Sequence, residues 1–218
     1  VEGNLTPESA VEYAKEVRAL AAKYADRIRV KLGVEADYIQ KDTTPERARY
    51  AHLGIDYLIG SIHWVVAPDG GHVPVDHEPE LLANGIRDHF DGDAEAYLRA
   101  YFAQNRDMVA NFDFDVMGHP DLVRKFNGKL RYFDETASWY LEELRLTADA
   151  IAASGKIVEV NTGAISRGWM DDAYPSPVFR ALLRARGVKF ILSSDAHFCE
   201  GIDCAFDHFR DAENFVHL

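Results

Sequence analysis

Apolar and polar positions along the chain follow two alternating periods. After Thr6-Pro7, which is typical of a helix N-cap with proline at the first helical position, apolar residues recur every three or four positions. Residues 28–35 then alternate with a period of two, as in a strand, and Glu35 lies on the face opposite the apolar row. The pattern predicts a helix with one buried face followed by a strand. The apolar helix positions are Val11, Ala14, Val17, Leu20 and Tyr24.

The same order of helix and strand recurs four more times. Helix starts are predicted at Thr44-Pro45, ahead of Tyr97, at Asp134 and at Ser176-Pro177. The strands that follow these helices are predicted at 56–63, 114–119, 157–161 and 188–194. A loop with glycine, proline and histidine, residues 67–78, follows the second strand. Because the alternation runs through the chain without a linker or a repeat, we predict one parallel α/β domain over residues 1–218.

Four of the five predicted strands finish in residue types that bind metals. These residues are Glu35, His63, His119 and the pair Asp195 and His197. The carboxyl ends of parallel strands in a barrel converge on one rim, so we expect these side chains to share a pocket. A single histidine at a strand end is more often a capping or core residue, but the recurrence favours a metal site. Mixed carboxylate and imidazole ligands suit Zn²⁺, Mn²⁺ or Fe²⁺ better than Mg²⁺ or Ca²⁺.

Each of four further polar residues, two near strand ends and two in the 67–78 loop, has two possible interpretations. Asp37 and Asp121 each follow a candidate ligand by two residues, and they either orient an imidazole or cap a helix. His72 and His77 lie in the 67–78 loop, where a lid or substrate contact competes with the more common surface loop.

Composition and charge narrow the function classes. The chain has 218 residues and a formal net charge of −12, with 47% apolar residues. A chain this acidic is disfavoured as a nucleic-acid or membrane-surface binder, because those partners need a basic face. Two cysteines do not make a disulfide framework, and no apolar run approaches the length of a membrane span. We therefore expect a cytoplasmic protein with a core of ordinary size.

Six short motifs occur in a fixed order along the chain. They are 33–38 (GVEADY), 59–63 (IGSIH), 118–122 (GHPDL), 159–163 (EVNTG), 174–177 (YPSP) and 193–197 (SSDAH). This order resembles the PHP-domain (polymerase and histidinol phosphatase) phosphoesterases, and most closely their histidinol-phosphate phosphatases, over residues 8–206. The resemblance implies a distorted, TIM-like barrel of seven βα units with two to three divalent metal ions (Zn, Mn or Fe) at its carboxyl rim.

The resemblance also implies roles for the five residues at the strand ends. Glu35 matches a glutamate that bridges two metal ions, and His63 and His119 match ligands of one of these ions. Asp195 matches a ligand of another ion, and His197 matches the ligand of a third. Glu35 and Asp195 are accordingly our candidates for the catalytic carboxylates.

The implied activity is hydrolysis of a phosphomonoester. The resemblance implies L-histidinol phosphate as the preferred substrate, which would give L-histidinol and phosphate in histidine biosynthesis. Arg167 matches an arginine that binds the substrate phosphate, with Lys125 as a weaker candidate or a solvated surface cation. Two alternatives stay open, a related phosphoesterase for another phosphorylated substrate and a non-catalytic metal-binding module. The partner is expected to be a small molecule, and the oligomeric state is left open.

One departure from the family pattern concerns the first strand. The family opens with a His-x-His motif, whereas no two of the nine histidines here are two residues apart. Val1 is not a methionine, so we expect the sequence to be part of a longer polypeptide whose first βα units complete the barrel and the metal ligands. A reduced relative without catalysis is the competing interpretation.

Overall fold

The computed structural model describes residues 5–40, 42–210 and 215–218. Residues 1–4, 41 and 211–214 of the predicted 1–218 domain lie outside this description.

Helices and strands alternate through the described ranges. The strands are β1 (Gly33–Asp37), β2 (Tyr57–Ser61), β3 (Trp64–Val66), β4 (His72–Pro74), β5 (Val116–Met117), β6 (Ile157–Asn161) and β7 (Phe190–Ser193). The helices are α1 (Pro7–Lys23), α2 (Arg47–Tyr50), α3 (Pro79–His89), α4 (Ala94–Asn111), α5 (Asn127–Leu130), α6 (Ser138–Ser154), α7 (Gly163–Ser166), α8 (Pro177–Ala185) and α9 (Phe206–Phe209). None of the helices in these ranges combines the length and the apolar composition that a membrane span requires.

The main sheet is parallel and has the order β1-β2-β5-β6-β7. Each strand is hydrogen-bonded to its neighbour in parallel register, so all five carboxyl ends lie at one edge of the sheet. The predicted α/β fold class is therefore confirmed. Within the described ranges, β1 and β7 are the two outer strands of the sheet, which contributes five of the seven strands that the resemblance implies.

Apolar side chains from the strands and the longer helices form one large core. Helix α4 packs against α6, and α6 packs against α8. Leu58 of β2, Val158 of β6 and Phe190 of β7 are fully buried beneath these helices. Burial of this kind, rather than helix propensity, supplies most of the stability of such a layer.

The first strand begins later than the alternation predicts. Residues 28–32 are not in a strand, and Ile28 is 61% exposed. The reason is the partner strand, since β2 starts at Tyr57 and the ladder can begin only with the pair Gly33 and Tyr57. A Cβ atom at Gly33 would lie 2.2 Å from the Tyr57 ring, so this close start also needs glycine. The buried face of α1 is likewise narrower than predicted, because Ala14 is its one buried residue.

The 67–78 region is more ordered than predicted. Strands β3 and β4 form an antiparallel hairpin in which Val65 pairs with Val73, and α3 follows at Pro79. Strands of three residues are too short to show a period, and this explains why the sequence indicates only a loop.

Helix ends follow the capping signals, with two exceptions. Helix α2 begins at Arg47, with Glu46 as its N-cap, rather than at the predicted Thr44-Pro45. The Thr6 and Ser176 side chains accept hydrogen bonds from the first turns of α1 and α8, and Gly155 ends α6 in the left-handed conformation. Helix α6 begins at Ser138 rather than at the predicted Asp134. Asp134 instead accepts a hydrogen bond of 2.8 Å from the Thr136 backbone, and this local turn delays the helix.

Truncation of Leu58 to Ala should destabilise the fold. Leu58 is fully buried in the second strand of the sheet, so Leu58→Ala should lower the free energy of unfolding by about 2–5 kcal/mol. Leu141→Ala on the outer face of α6, where the leucine is 37% exposed, should change it by less than about 0.5 kcal/mol. Urea unfolding followed by circular dichroism measures both, and equal losses would contradict the assigned core.

Candidate metal centre

Three candidate ligands meet at the carboxyl edge of the sheet. Glu35 is the third residue of β1, His63 lies two residues beyond β2, and His119 lies two residues beyond β5. Nε2 of His119 is 3.2 Å and Nε2 of His63 is 3.7 Å from Oε1 of Glu35. One ligand atom from each of the three residues lies within 4.8 Å of the others. The parallel register therefore brings together three groups separated by up to 84 positions, the spacing from Glu35 to His119.

The His63 ring is held by a second carboxylate. Nδ1 of His63 donates a hydrogen bond of 2.5 Å to Oδ1 of Asp37, the last residue of β1. This bond leaves Nε2 of His63 free to face Glu35. A carboxylate behind a histidine ligand fixes the ring and makes it a better donor to a metal. Of the two interpretations of Asp37, the structure supports the orienting one.

Asp121 does not play the matching role for His119. It is fully buried, and its Oδ2 accepts a hydrogen bond of 2.7 Å from the Ser176 backbone at the start of α8. The His119 backbone N–H instead donates to Oε1 of Glu159 at 2.9 Å. Nδ1 of the buried His119 ring has no hydrogen-bond partner among the described residues.

Electrostatics couple Glu35 to the two imidazoles. Burial raises the pKa of Glu35, but the hydrogen bond and charge of His119 and the charge of His63 outweigh it and hold that pKa well below its ordinary value. Burial lowers the pKa of His119, whereas its hydrogen bond to Glu35 and the Glu35 charge raise it to about 10. Without a metal the pair is therefore a carboxylate and an imidazolium.

These residues fit a divalent metal ion. Two imidazole Nε2 atoms and one carboxylate oxygen point to a common centre, and the Glu35 side chain is 38% exposed on the open side. Three protein ligands with an open position are the usual set for a catalytic zinc ion. Without a metal, His119 carries a proton and a positive charge. The imidazole must lose this proton before it binds a cation at the same position.

Asp195, His197 and Arg167 form a second cluster. Nη2 of Arg167 donates to Oδ2 of Asp195 at 3.0 Å, and Nη1 donates to the Asp195 backbone carbonyl at 2.9 Å. Nδ1 of His197 lies 3.1 Å from Nη1 of Arg167, and its side chain is 68% exposed. The structure thus pairs the predicted phosphate-binding residue with a predicted metal ligand. These three residues do not join the cluster of Glu35, His63 and His119.

A buried polar chain on β6 connects the two clusters. Oε1 of Glu159 accepts from the His119 backbone and from Nδ2 of Asn161, both at 2.9 Å, and Oδ1 of Asn161 accepts from the Gly163 backbone at 2.8 Å. A Cβ atom on Gly163 would lie 2.7 Å from Nη2 of Arg167 and 2.9 Å from Oδ2 of Asp195, so a larger residue here would displace the ends of these two side chains. Burial raises the pKa of Glu159, and the charges of Glu35 and Asp195 add to that rise against the opposing His119 charge.

The two histidines of the 67–78 region, His72 and His77, each contact a residue outside the metal cluster. Nε2 of His72 is 3.8 Å from Oδ2 of Asp42, at the exposed edge of the hairpin. The His77 ring packs against Trp64, with 5.8 Å between the ring centroids. His72 and His77 are not part of the metal cluster found among the described residues.

Comparison with known proteins places the chain in a family. A model of the PHP domain matches residues 2–163. The chain is 28% identical over 190 residues to the "Probable histidinol-phosphatase" of Schizosaccharomyces pombe, covering 85% of this chain and 59% of that protein. It is 31% identical over 198 residues to the "Probable histidinol-phosphatase" of Deinococcus radiodurans, covering 87% and 66%. The chain belongs to the PHP domain family, and it spans about three fifths to two thirds of the length of these relatives.

Solved structures share the fold. The hisK protein from Listeria monocytogenes superposes with a TM-score of 0.82 at 20% identity, over 94% of this chain and 78% of that one. Histidinol phosphate phosphatase from Lactococcus lactis, solved with zinc, L-histidinol and phosphate, superposes with a TM-score of 0.63 at 22% identity, over 95% and 75%.

Replacement of His119 by Ala should remove the bound metal. The variant loses one of three clustered donors and the group nearest to Glu35, so the zinc content after dialysis should fall by at least about tenfold. His52→Ala is the matched control, because His52 is an exposed residue on the 3₁₀ turn after α2. Elemental analysis of both variants measures the difference, and unchanged zinc in His119→Ala would contradict the assignment.

Metal affinity should rise with pH. The pKa of about 10 keeps His119 protonated at neutral pH when no metal is bound, and a bound metal requires the neutral ring. The metal-bound state therefore holds fewer protons than the metal-free state. Between about pH 6 and about pH 8, the affinity of the protein for the metal ion should increase about tenfold per pH unit for each proton released. Competition with a chelator of known affinity measures it, and a pH-independent affinity would contradict the ion pair.

Proposed function

We propose that the protein is a metal-dependent phosphomonoester hydrolase that converts L-histidinol phosphate to L-histidinol and phosphate. The observation that carries this proposal is the arrangement of Glu35, His63 and His119 around one centre, with Arg167 connected to it through the buried chain on β6. Relatives named histidinol-phosphatase support the choice of substrate.

Each cluster has a separate task in this proposal. Glu35, His63 and His119 hold one divalent ion, and Asp195 and His197 hold ligand positions for one or two more, so that two to three ions of Zn, Mn or Fe are bound in all. A divalent ion at this edge would supply positive charge to the phosphoryl oxygens as charge develops on them. Glu35 and Asp195 are the catalytic carboxylates, in that both hold ions against the reacting group.

Arg167 binds the substrate phosphate. A guanidinium has five N–H donors in a planar fork, and the contacts to Asp195 and His197 engage Nη1 and one hydrogen of Nη2. Nε–H and the second Nη2 hydrogen are left for phosphate oxygens. The contact with Asp195 orients this fork at the carboxyl edge of the sheet, where the metal ligands lie.

The overall charge is compatible with an anionic substrate. The formal net charge of −12 omits metal ions, and two or three divalent ions reverse the sign within the site. The proposal keeps the cytoplasmic location expected from the sequence. Cys199 and Cys204 support it, since both are free thiols.

Phosphate release tests the proposed activity. The full-length protein, assayed with L-histidinol phosphate in the presence and absence of added Mn²⁺ or Zn²⁺, should show metal-dependent turnover with a kcat/KM at least about 100-fold above that for p-nitrophenyl phosphate. Equal rates on both substrates would favour another phosphorylated substrate. Bound metal without any turnover would favour the non-catalytic module.

Replacement of Arg167 by Ala should weaken substrate binding without loss of metal. Removing a bidentate charged contact to phosphate should raise KM by about 10- to 100-fold, while the zinc content stays that of the wild type. Arg145→Ala on α6 is the control, because Arg145 is exposed and pairs with Glu142 and Asp149. Steady-state kinetics with elemental analysis measures both properties, and loss of zinc from Arg167→Ala would show that Arg167 supports the metal centre instead.

A further inference from the structure

Asp76 lies beside the metal centre without belonging to it. The backbone N–H of Val75 donates to the carbonyl of His63 at 2.9 Å, which ties the segment after β4 to this ligand. Burial raises the pKa of Asp76, but the charges of His63, Lys125 and His119 lower it below its ordinary value. The carboxylate is therefore ionised and within electrostatic reach of both histidines.

Lys125 fixes the Asp76 carboxylate in place. Its Nζ donates to the Asp76 backbone carbonyl at 2.8 Å and to Oδ2 at 3.1 Å, and its side chain is only 11% exposed. The same Nζ lies over the rings of Phe126 and Trp169, 5.3 and 5.9 Å from their centroids. Lys125 thus contacts both the backbone and the carboxylate of Asp76.

One oxygen of the carboxylate stays open. Oδ1 of Asp76 accepts no hydrogen bond from any residue in the described part of the chain, and the Asp76 side chain is 27% exposed. The ring of His77, the next residue along the chain, packs against Trp64, and Trp169 lies 5.9 Å from Nζ of Lys125. A partly exposed carboxylate that a lysine holds in place, with aromatic side chains packed against its neighbours, is an environment that favours a cationic group.

We propose that Asp76 is a specificity-determining residue that binds the cationic part of the substrate, a protonated amine or imidazolium, while the phosphate lies at the metal centre. This inference rests on the proposed function. The site would therefore select phosphomonoesters that carry a positive charge, and Lys125 would act as a positioning residue that keeps Oδ1 turned toward the substrate.

The test compares a cationic and an uncharged leaving group in the same protein. Asp76→Asn keeps the shape of the side chain but removes its charge, so kcat/KM for L-histidinol phosphate should fall about 10- to 100-fold, mainly through KM. The fall for p-nitrophenyl phosphate should be much smaller. Asp76→Glu, which restores the charge, should recover part of the preference. Asp69→Asn, at the exposed far end of the same hairpin, should keep the wild-type ratio.

The outcomes separate this inference from the proposed function. No preference for L-histidinol phosphate in the wild type would contradict the proposed function itself. A wild-type preference that Asp76→Asn leaves unchanged, or a loss that Asp76→Glu does not reverse at all, would overturn the role of Asp76. Thermal unfolding and zinc content of each variant show whether a change comes from misfolding, and Asp76→Ser, which also removes the charge, carries the test if Asp76→Asn does not fold.

Discussion

Parallel pairing of five strands is the constraint on which the candidate site depends. Glu35 lies on β1, and His63 and His119 follow the ends of β2 and β5 by two residues. These are consecutive strands of the sheet, and the ladder aligns their carboxyl ends. A shift of one residue in any ladder would turn the side chains of that strand to the opposite face. The chain passes close to β2 just after β5, where a Cβ atom at Gly118 would lie 2.2 Å from Oγ of Ser61. Strand packing thus determines the metal geometry.

Glu159 links the position of the second cluster, Arg167, Asp195 and His197, to that of the metal ligands. Its carboxylate is buried on β6, and burial of an acid is tolerated because two donors, the His119 backbone and Asn161, hydrogen-bond to it. Asn161 in turn holds Gly163, which lies against Arg167 and Asp195. The phosphate-binding candidate is thereby placed by the same strand that supports a metal ligand. These contacts give Glu159 a structural role between the two clusters.

The sequence predicts the edge of the sheet better than it predicts the contacts made there. Strand periodicity and the parallel topology are enough to collect Glu35, His63 and His119, because strand ends are set by local pattern and by chain order. Periodicity fails at residues 28–32, where the start of β2 decides how long the ladder is. Periodicity also does not predict the contact between Lys125 and Asp76, which are 49 residues apart. Partner choice among charged side chains depends on distances that only the folded chain defines, and Arg167 with Asp195 is a further example.

The central claim is that Glu35, His63 and His119 bind a divalent metal ion at the carboxyl edge of the sheet. Anomalous diffraction at the zinc edge from crystals of the zinc-loaded protein tests it most directly. The account predicts an anomalous peak about 2.0–2.2 Å from Nε2 of His63, from Nε2 of His119 and from a carboxylate oxygen of Glu35. A protein that takes up zinc but shows no peak between these three side chains would contradict it.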